Sequence, residues 1–306
     1  MRRLHGATIR TSHMTTASIE TQGAAKSKPA KEVIYRHTRV VRIAHWINAL
    51  CFLMLLMSGL QIFNAHPALY WGQKGADFDK PFFEIASGQT SDGRIVGITK
   101  FGDTQVLTTG VLGVSTLNGQ RNYVAFPSYL TVPSWRDLAS GRRWHFFFAW
   151  GLVLNGLTYL GFGIANRHLR RDIIPAGAEL KPRHILKDIW DHIRLKHPTG
   201  EAAKHYNTLQ KLAYVSVIFI LFPAMILTGL TMSPGFDSIA PVLLDLFGGR
   251  QSARSIHFIS ANLLVLFLIV HLVEVVIAGA WNEIRSMITG KYVVPREKAA
   301  AAEAAS

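Results

Sequence analysis

Four stretches of the chain are almost continuously apolar: Ile43 to Ala65, Trp144 to Ala165, Leu212 to Met232 and Ile256 to Trp281. Each holds about twenty residues, which as a helix spans the ~30 Å of hydrocarbon in a bilayer. The pattern predicts an all-α membrane protein, a four-helix transmembrane bundle, within residues 34–294. Pro223 predicts a kink in the third span, tolerable where neighbouring helices satisfy the freed carbonyl. Asn155 and Asn262 are expected to bond between helices. Trp46, Trp144 and Trp281 fall where an interfacial aromatic belt belongs.

Polar stretches divide the spans. A long one, 67–143, separates the first two; a basic one, 166–211, separates the second from the third; a shorter Gly/Pro-containing one, 233–255, joins the last two. Within the first, Arg94–Lys100 and the run from Gln105 are β-prone and flank a Gly102-Asp103 turn signal, which predicts a small hairpin. Pro127, Pro133 and Trp135 predict an irregular, packed return to the membrane. A segment of this length is more than a connector, and a docking platform for a partner is expected of it, against the plainer alternative of an inserted loop. Residues 1–33 are basic and rich in Ser, Thr and Ala, with no apolar core of the kind a secretory signal needs; they are expected to be a disordered tail, as are 295–306.

The 306 residues are 49% hydrophobic, and the mean hydropathy is +0.20, as expected for several spans joined by sizeable polar segments. The net charge of +14 is read as loops rich in Lys and Arg on one side of a membrane rather than as a nucleic-acid surface. Arg167, Arg170, Arg171, Lys181, Arg183, Lys187, Arg194, Lys196 and Lys204 crowd the second loop, and Arg36, Arg39 and Arg42 precede the first span. The long 67–143 segment is balanced, with Asp77, Asp79, Glu84, Asp92, Asp103 and Asp137 against a similar number of cations. The charge rule therefore places both termini in the cytoplasm and 67–143 outside. The one cysteine, Cys51, leaves no disulfide framework, no Cys-x-x-Cys-His attachment and no cysteine-held iron–sulfur cluster within the chain. Any haem here is non-covalently held, of b type.

Histidine carries the candidate chemistry. Of thirteen, nine (His5, His13, His37, His66, His168, His184, His192, His197 and His205) lie in tails, loops or span edges and are expected to be solvated. His45, His145, His257 and His271 lie in spans, where an ionisable side chain is costly and marks function. His257 and His271 are 14 residues apart, so they leave nearly the same helix face, roughly 21 Å apart along the axis. With alternating span direction, His145 pairs by depth with His257 on the outer side, and His45 with His271 on the inner side. Two depth-matched pairs are what two haem irons with bis-histidine ligation require. A single span histidine would be read as hydrogen-bonded structure.

Arg42-x-x-His45, Arg142-x-x-His145 and Arg254-x-x-His257 repeat one spacing. Residues three apart are neighbours on a helix, so each arginine is a candidate partner for a haem propionate, against interfacial anchoring. Glu274, three residues after His271, is a candidate proton carrier to or from a quinone, or a residue of the helix end.

The sequence around these residues is familiar. Arg42-Ile43-Ala44-His45-Trp46, Arg143-Trp144-His145-Phe146 and the His257/His271 pair resemble the bacterial cytochrome b561 superfamily, more closely the cytochrome b subunits of nickel–iron hydrogenase, formate dehydrogenase (gamma subunit) and thiosulfate reductase. The resemblance covers Tyr35 to Tyr292. Asn64-Ala65-His66-Pro67-Ala68-Leu69-Tyr70-Trp71 and the long loop are similar to thiosulfate-reductase-like members, which often accompany a molybdopterin oxidoreductase. The resemblance implies a bundle with two haem b groups in the pairing above, passing electrons between a periplasmic catalytic partner and the quinone pool. In the formate dehydrogenase gamma subunit, Tyr-Asn-x-x-Gln-Lys opening the third span helps bind quinone; Tyr206-Asn207-Thr208-Leu209-Gln210-Lys211 matches it. Leu209 stands where that relative has a glycine contacting quinone. Asn207 is therefore the quinone candidate, its structural alternative being a helix N-cap.

The leading expectation is a membrane anchor that relays electrons between a periplasmic, molybdopterin-dependent oxidoreductase and quinone in the lipid. A stand-alone superoxide:quinone oxidoreductase of the same superfamily is the alternative; it would need no outer docking platform. A haem-free membrane adaptor is the third, and it would lack a b-type absorption band.

Overall fold

The computed structural model describes residues 32–194 and 206–294. Most of both expected tails, and 195–205 with His197, Lys196, Lys204 and His205, lie outside the described residues. Four helices in it are long and apolar enough to cross a membrane.

Strand β1 (Val33–Tyr35) leads into α1 (Arg39–Phe63), which Thr38 caps by accepting from the Val41 N–H. The chain leaves α1 for the 67–143 segment, where a four-stranded antiparallel sheet forms from β2 (Ala68–Leu69), β3 (Phe83–Gln89), β4 (Ile95–Phe101) and β5 (Thr104–Leu107), in that order. The β4–β5 turn falls at Gly102-Asp103, with Gly102 at φ 55°. The sheet is larger than the expected hairpin. Strand β3, Phe-Glu-Ile-Ala-Ser-Gly-Gln, has little β-branched content, and its pairing with all seven residues of β4 rather than its own propensity makes it a strand. A second hairpin, β6 (Ser115–Leu117) and β7 (Gln120–Asn122), turns on Asn118-Gly119, both at positive φ, as a type I′ turn requires.

Asp137 caps α2 (Leu138–Ala165), accepting from the Ser140 N–H at 2.9 Å. Helix α2 packs along α1 through small residues: a Cβ on Gly151 would lie 3.3 Å from Cys51 Sγ, and one on Gly141 3.0 Å from Gln61 Cγ. Asn155 crosses this interface as expected, donating to the Ala44 carbonyl at 2.8 Å and to Asn48 Oδ1 at 2.7 Å. Asn262 does not cross; it donates to Phe258 of its own helix.

A π turn (Leu169–Ile173) and the amphipathic α3 (Pro182–Ile193) lead towards the third span. That span is α4 (Thr208–Ser216), a π turn (Val217–Leu221) and α5 (Phe222–Thr231). The π turn sits immediately before Pro223, where the proline ring crowds the preceding turn and removes an N–H. Short helices α6 (Pro234–Asp237) and α7 (Val242–Phe247) precede α8 (Arg250–Thr289). Helix α8, longer than its apolar run, packs along α5.

Helix α8 is broken at Gly279 (φ 105°, ψ 82°), a conformation only glycine adopts easily. Beyond the break its residues meet the start of α1: Trp46 Nε1 donates to the Met287 carbonyl at 3.1 Å, and Arg42 donates to the Ile288 carbonyl. Strand β8 (Lys291–Val293) then pairs with β1, and Arg36 bridges to Glu283 at 3.4 Å over the Tyr292 ring. The bundle thus has a clasped end, closed by β1 and β8, and a sheet end. At the sheet end Phe63, Leu69, Phe83, Ile85 and Ala125 form a core with Phe258 against it, Phe63 and Phe258 stacking at 4.6 Å.

Candidate cofactor site

Helix α8 carries two histidines, His257 near its start and His271 near its middle, each facing one from another helix. At the sheet end the rings of His145 (α2) and His257 (α8) have centroids 6.3 Å apart. At the clasped end His45 (α1) and His271 (α8) are also 6.3 Å apart. Among the described residues no three His, Cys, Asp or Glu side chains gather as a metal site. Each pair offers two donors. A metal midway, with bonds of about 2 Å to each imidazole and a ring half-width of about 1 Å at each end, puts the centroids roughly 6 Å apart. The pairs fit an ion that brings its other ligands with it, as iron in a porphyrin does.

The sheet-end rings are held in one tautomer. Ser58 gives its hydroxyl proton to the Met54 carbonyl at 2.6 Å, so its oxygen accepts from His145 Nδ1 at 3.1 Å. Thr228 does the same for His257: it donates to the Ala224 carbonyl at 2.5 Å and accepts from Nδ1 at 3.0 Å. Nε2 is left with its lone pair in both, the nitrogen a metal would take. The residues that follow are glycines lying against the rings: a Cβ on Gly59 would lie 3.4 Å from His145 Cε1, and one on Gly229 3.5 Å from His257 Cε1, ordinary contacts beyond which a larger side chain would meet the imidazole. A hydroxyl–glycine dipeptide on one helix thus backs a histidine on another, twice.

At the clasped end, His271 stacks on Phe267 at 6.0 Å and 13°, while His45 meets the edge of Trp46 at 5.2 Å. Among the described residues, His45 Nδ1 is buried with no hydrogen-bond partner, as is Arg42 Nε three residues before it. Orphaned polar atoms are uncommon in a native interior, and here they mark a place where a polar cofactor group fits.

The family profile for prokaryotic cytochrome b561 matches residues 36–290. The chain belongs to this family. A curated relative from Azospira oryzae, a putative protein-methionine-sulfoxide reductase subunit, YedZ1, is 27% identical over 246 residues, covering 80% of this chain and 92% of the relative. No solved structure gives a significant match.

Cytochromes b561 are membrane helical bundles that bind b-type haem. The histidine pairs are the residues of this cytochrome b561 that could hold it, and haem would supply one-electron chemistry that histidine cannot. The arginines are placed unequally. Arg42 bonds to the Ile288 carbonyl and reaches Tyr35 Oη at 3.5 Å. Arg142 is exposed, with its guanidinium 5.8 Å from the Phe146 ring. Arg254 donates to the carbonyls of Ala68, at 2.7 Å, and His66, fastening the segment after α1 to α8.

Asn207 caps α4 in a full capping box: its Oδ1 accepts from the Gln210 N–H at 2.8 Å, and Gln210 Oε1 accepts from the Asn207 N–H at 3.2 Å. Next to it, the Tyr206 ring begins a file of aromatic contacts, to Tyr214 at 5.4 Å, on to Phe267 at 6.4 Å, and so to His271. Glu274 lies half-buried one turn beyond His271.

Two expectations about histidine change. His37 is buried, not solvated, and burial first, then its neighbours Arg36, His45, His168 and Arg42, lower its imidazole to about 4. His168 is bonded through Nδ1 to Asp172 at 2.7 Å. Ser58, Gly59, Thr228 and Gly229 were not among the expected site residues. Their signal was present: Ser-Gly and Thr-Gly dipeptides, each about one turn from the sheet end of a span.

Proposed function

We propose that this cytochrome b561 holds two haem b groups, one between His145 and His257 and one between His45 and His271, and relays electrons between them. The observation that carries the reading is the repeat of one ring separation, 6.3 Å, at two levels of α8. Fourteen residues of helix separate the α8 ligands, roughly 21 Å of rise. Arg42, Arg142 and Arg254 are proposed as propionate partners, Arg42 most strongly, because its Nε is buried without a partner among the described residues.

Quinone in the membrane exchanges electrons at the clasped end, where Asn207 opens α4 and the ring file from Tyr206 leads to His271; Glu274 is proposed to handle protons there. The sheet end faces the periplasm across a bacterial inner membrane, with both termini cytoplasmic, in keeping with loop charge. The 67–143 segment docks a periplasmic oxidoreductase. That the relative from Azospira oryzae is named as a reductase subunit supports such a partner, and the resemblance to thiosulfate-reductase-like members supports a molybdopterin-dependent one.

Haem per protein in the purified chain tests the ligands. The expected ratio is two, with two steps in a redox titration. His145→Ala and His271→Ala each bring it to one, and removing different steps. A ratio of one in the unaltered protein overturns the two-haem reading. Asn207→Ala is expected to slow haem reduction by a quinol analogue while dithionite reduction is unchanged; equal rates with quinol would remove Asn207 from the site. Co-purification of a periplasmic subunit separates the relay from a stand-alone superoxide:quinone oxidoreductase, whose haem superoxide would reduce without a partner.

A further inference from the structure

The last turn of α2 opens into a cavity of about 450 Å³ lined by Asn166, Arg167, Arg170 and Arg171. Three arginines line one hollow that opens to the surface, and an anion among them would relieve their mutual repulsion. Arg171 is already matched: its Nε and Nη2 each donate to Asp172 at 3.1 Å, and Asp172 also takes His168 Nδ1. Arg167 and Arg170 make no ion pair among the described residues. The carbonyls closing α2 carry partial negative charge and disfavour an anion, so these cations must supply the attraction themselves.

The backbone is arranged around the cavity. Arg167 has φ 54°, the left-handed region that a side chain other than Gly or Asn rarely adopts. Arg170 and Arg171 follow on the π turn Leu169–Ile173, closed by Ile174 N–H to the Leu169 carbonyl at 2.8 Å. Leu169 and Ile173 are buried and pin the turn from below, while the arginines stay exposed. Left-handed side chains and π turns concentrate at functional sites. The cavity also lies where a membrane span ends, and the residues bracketing it, Ile164 and Ile174, are 69% and 46% exposed. A ligand here meets cations and an apolar shoulder together, at headgroup depth.

We propose that Arg167 and Arg170 bind the phosphodiester of an anionic membrane phospholipid, with its acyl chains along the end of α2. The proposal rests on the chain's place in a membrane and not on how it moves electrons. General anchoring at the interface would also use arginines, but any basic residue on this side would then serve equally.

The test uses the full haem-loaded chain in detergent, titrated separately with phosphatidylglycerol, cardiolipin, phosphatidylcholine and inorganic phosphate. Binding is read by native mass spectrometry and by thermal stability. The two anionic lipids are expected to be retained and to raise the Tm, and phosphatidylcholine to do neither. Arg167→Gln/Arg170→Gln is expected to weaken anionic-lipid retention by about tenfold or more, with the haem spectrum unchanged. The control, Lys181→Gln/Arg183→Gln, removes the same charge from exposed positions nearby and is expected to leave retention intact. Equal loss in the control means diffuse charge and overturns the site. Equal protection by inorganic phosphate means a free-anion pocket and overturns the lipid. Equal retention of phosphatidylcholine overturns both. If the double variant loses its haem spectrum, Arg170→Gln alone, at an exposed side chain, decides by the same readouts.

Discussion

Ser58 and His145 are joined by a hydrogen bond that runs in one direction. The only proton on the Ser58 hydroxyl goes to the Met54 carbonyl at 2.6 Å, so the 3.1 Å contact to His145 is donated by Nδ1. The same arrangement at Thr228 fixes His257. Both rings at the sheet end thus present Nε2 before any cofactor arrives, and the orientation costs nothing further on binding.

Removing these hydroxyls is expected to loosen and retune the sheet-end haem. In Ser58→Ala or Thr228→Ala the histidine keeps its place but its Nδ1–H is left buried and unpaired. An imidazole that no longer donates this bond is a weaker electron donor to ferric iron, so the midpoint potential is expected to rise. Retention of that haem falls by about tenfold or more, the usual cost of losing such a partner. Ser58→Thr keeps both bonds and should titrate like the unaltered protein. Potential and haem content both unchanged in the alanine variants would show that the hydroxyls do not act on the haem.

The glycines behind the same histidines give a graded expectation. A Cβ at Gly59 or Gly229 would sit 3.4 or 3.5 Å from the imidazole, an ordinary contact. Alanine there is expected to leave haem content unchanged, with a stability gain of up to about 1 kcal/mol from helix propensity. Leucine must push the ring, so Gly59→Leu and Gly229→Leu are expected to lose one haem of two. Pyridine haemochrome content and thermal unfolding measure both. Full haem content in the leucine variants would mean that the rings have room to spare.

The bundle was legible in the sequence because hydrocarbon demands long apolar runs, and the histidines because so few ionisable groups survive inside such runs. What sets each ring was not legible. Ser58 and Thr228 look like any small polar residues that bond back to their own helix, and they do that as well. Arg254, whose spacing makes it a propionate candidate, has a second contact that the spacing did not show. Its guanidinium holds the carbonyls of His66 and Ala68, a contact across more than 180 residues that no local pattern encodes. His37 looked solvated, next to Arg36 and ahead of the span. Its burial accompanies the clasped end, where β1 meets β8 and α8 turns at Gly279. That break lies inside an apolar run, so the run alone predicted a straight helix.

His37 gives that end a dependence on pH. It is 8% exposed, and burial first, then Arg36, His45, His168 and Arg42, hold its imidazole at about 4. The unfolded chain binds a proton near pH 6.5 and the folded chain does not until about pH 4. Folded stability from this group is complete above pH 6.5 and is lost as pH falls towards 4, in all on the order of 3 kcal/mol. His37→Gln cannot take the proton and is expected to flatten that decline. Thermal unfolding at pH 7.5 and 4.5 measures it; equal declines in the two proteins would place His37 in contact with water.

Lys211 and Glu179 offer a way to separate position from contact at the proposed quinone site. Lys211 is 9% exposed, and its Nζ donates to both oxygens of Glu179, at 2.9 and 3.0 Å. Burial alone would raise the Glu179 carboxyl, but Lys211 and the Ala176 N–H outweigh it and hold the group below its usual value. A depressed carboxylate stabilises the fold above its unfolded pKa, and that contribution fades as pH falls through the folded one. Lys211→Met leaves a partly exposed carboxylate without its cation and is expected to cost about 1–2 kcal/mol. Adding Glu179→Leu removes the orphaned charge and is expected to recover most of that loss. Lys211 lies one turn after Asn207 on α4, and its ammonium anchors that turn to Glu179, so the single variant should also slow quinol oxidation, by loosening the start of α4. If the double variant recovers both stability and quinol oxidation, Lys211 acts by positioning Asn207 and its neighbours. If stability returns and oxidation does not, the Lys211 ammonium itself takes part in the quinone chemistry, and Asn207 is no longer the first residue to which that chemistry should be assigned.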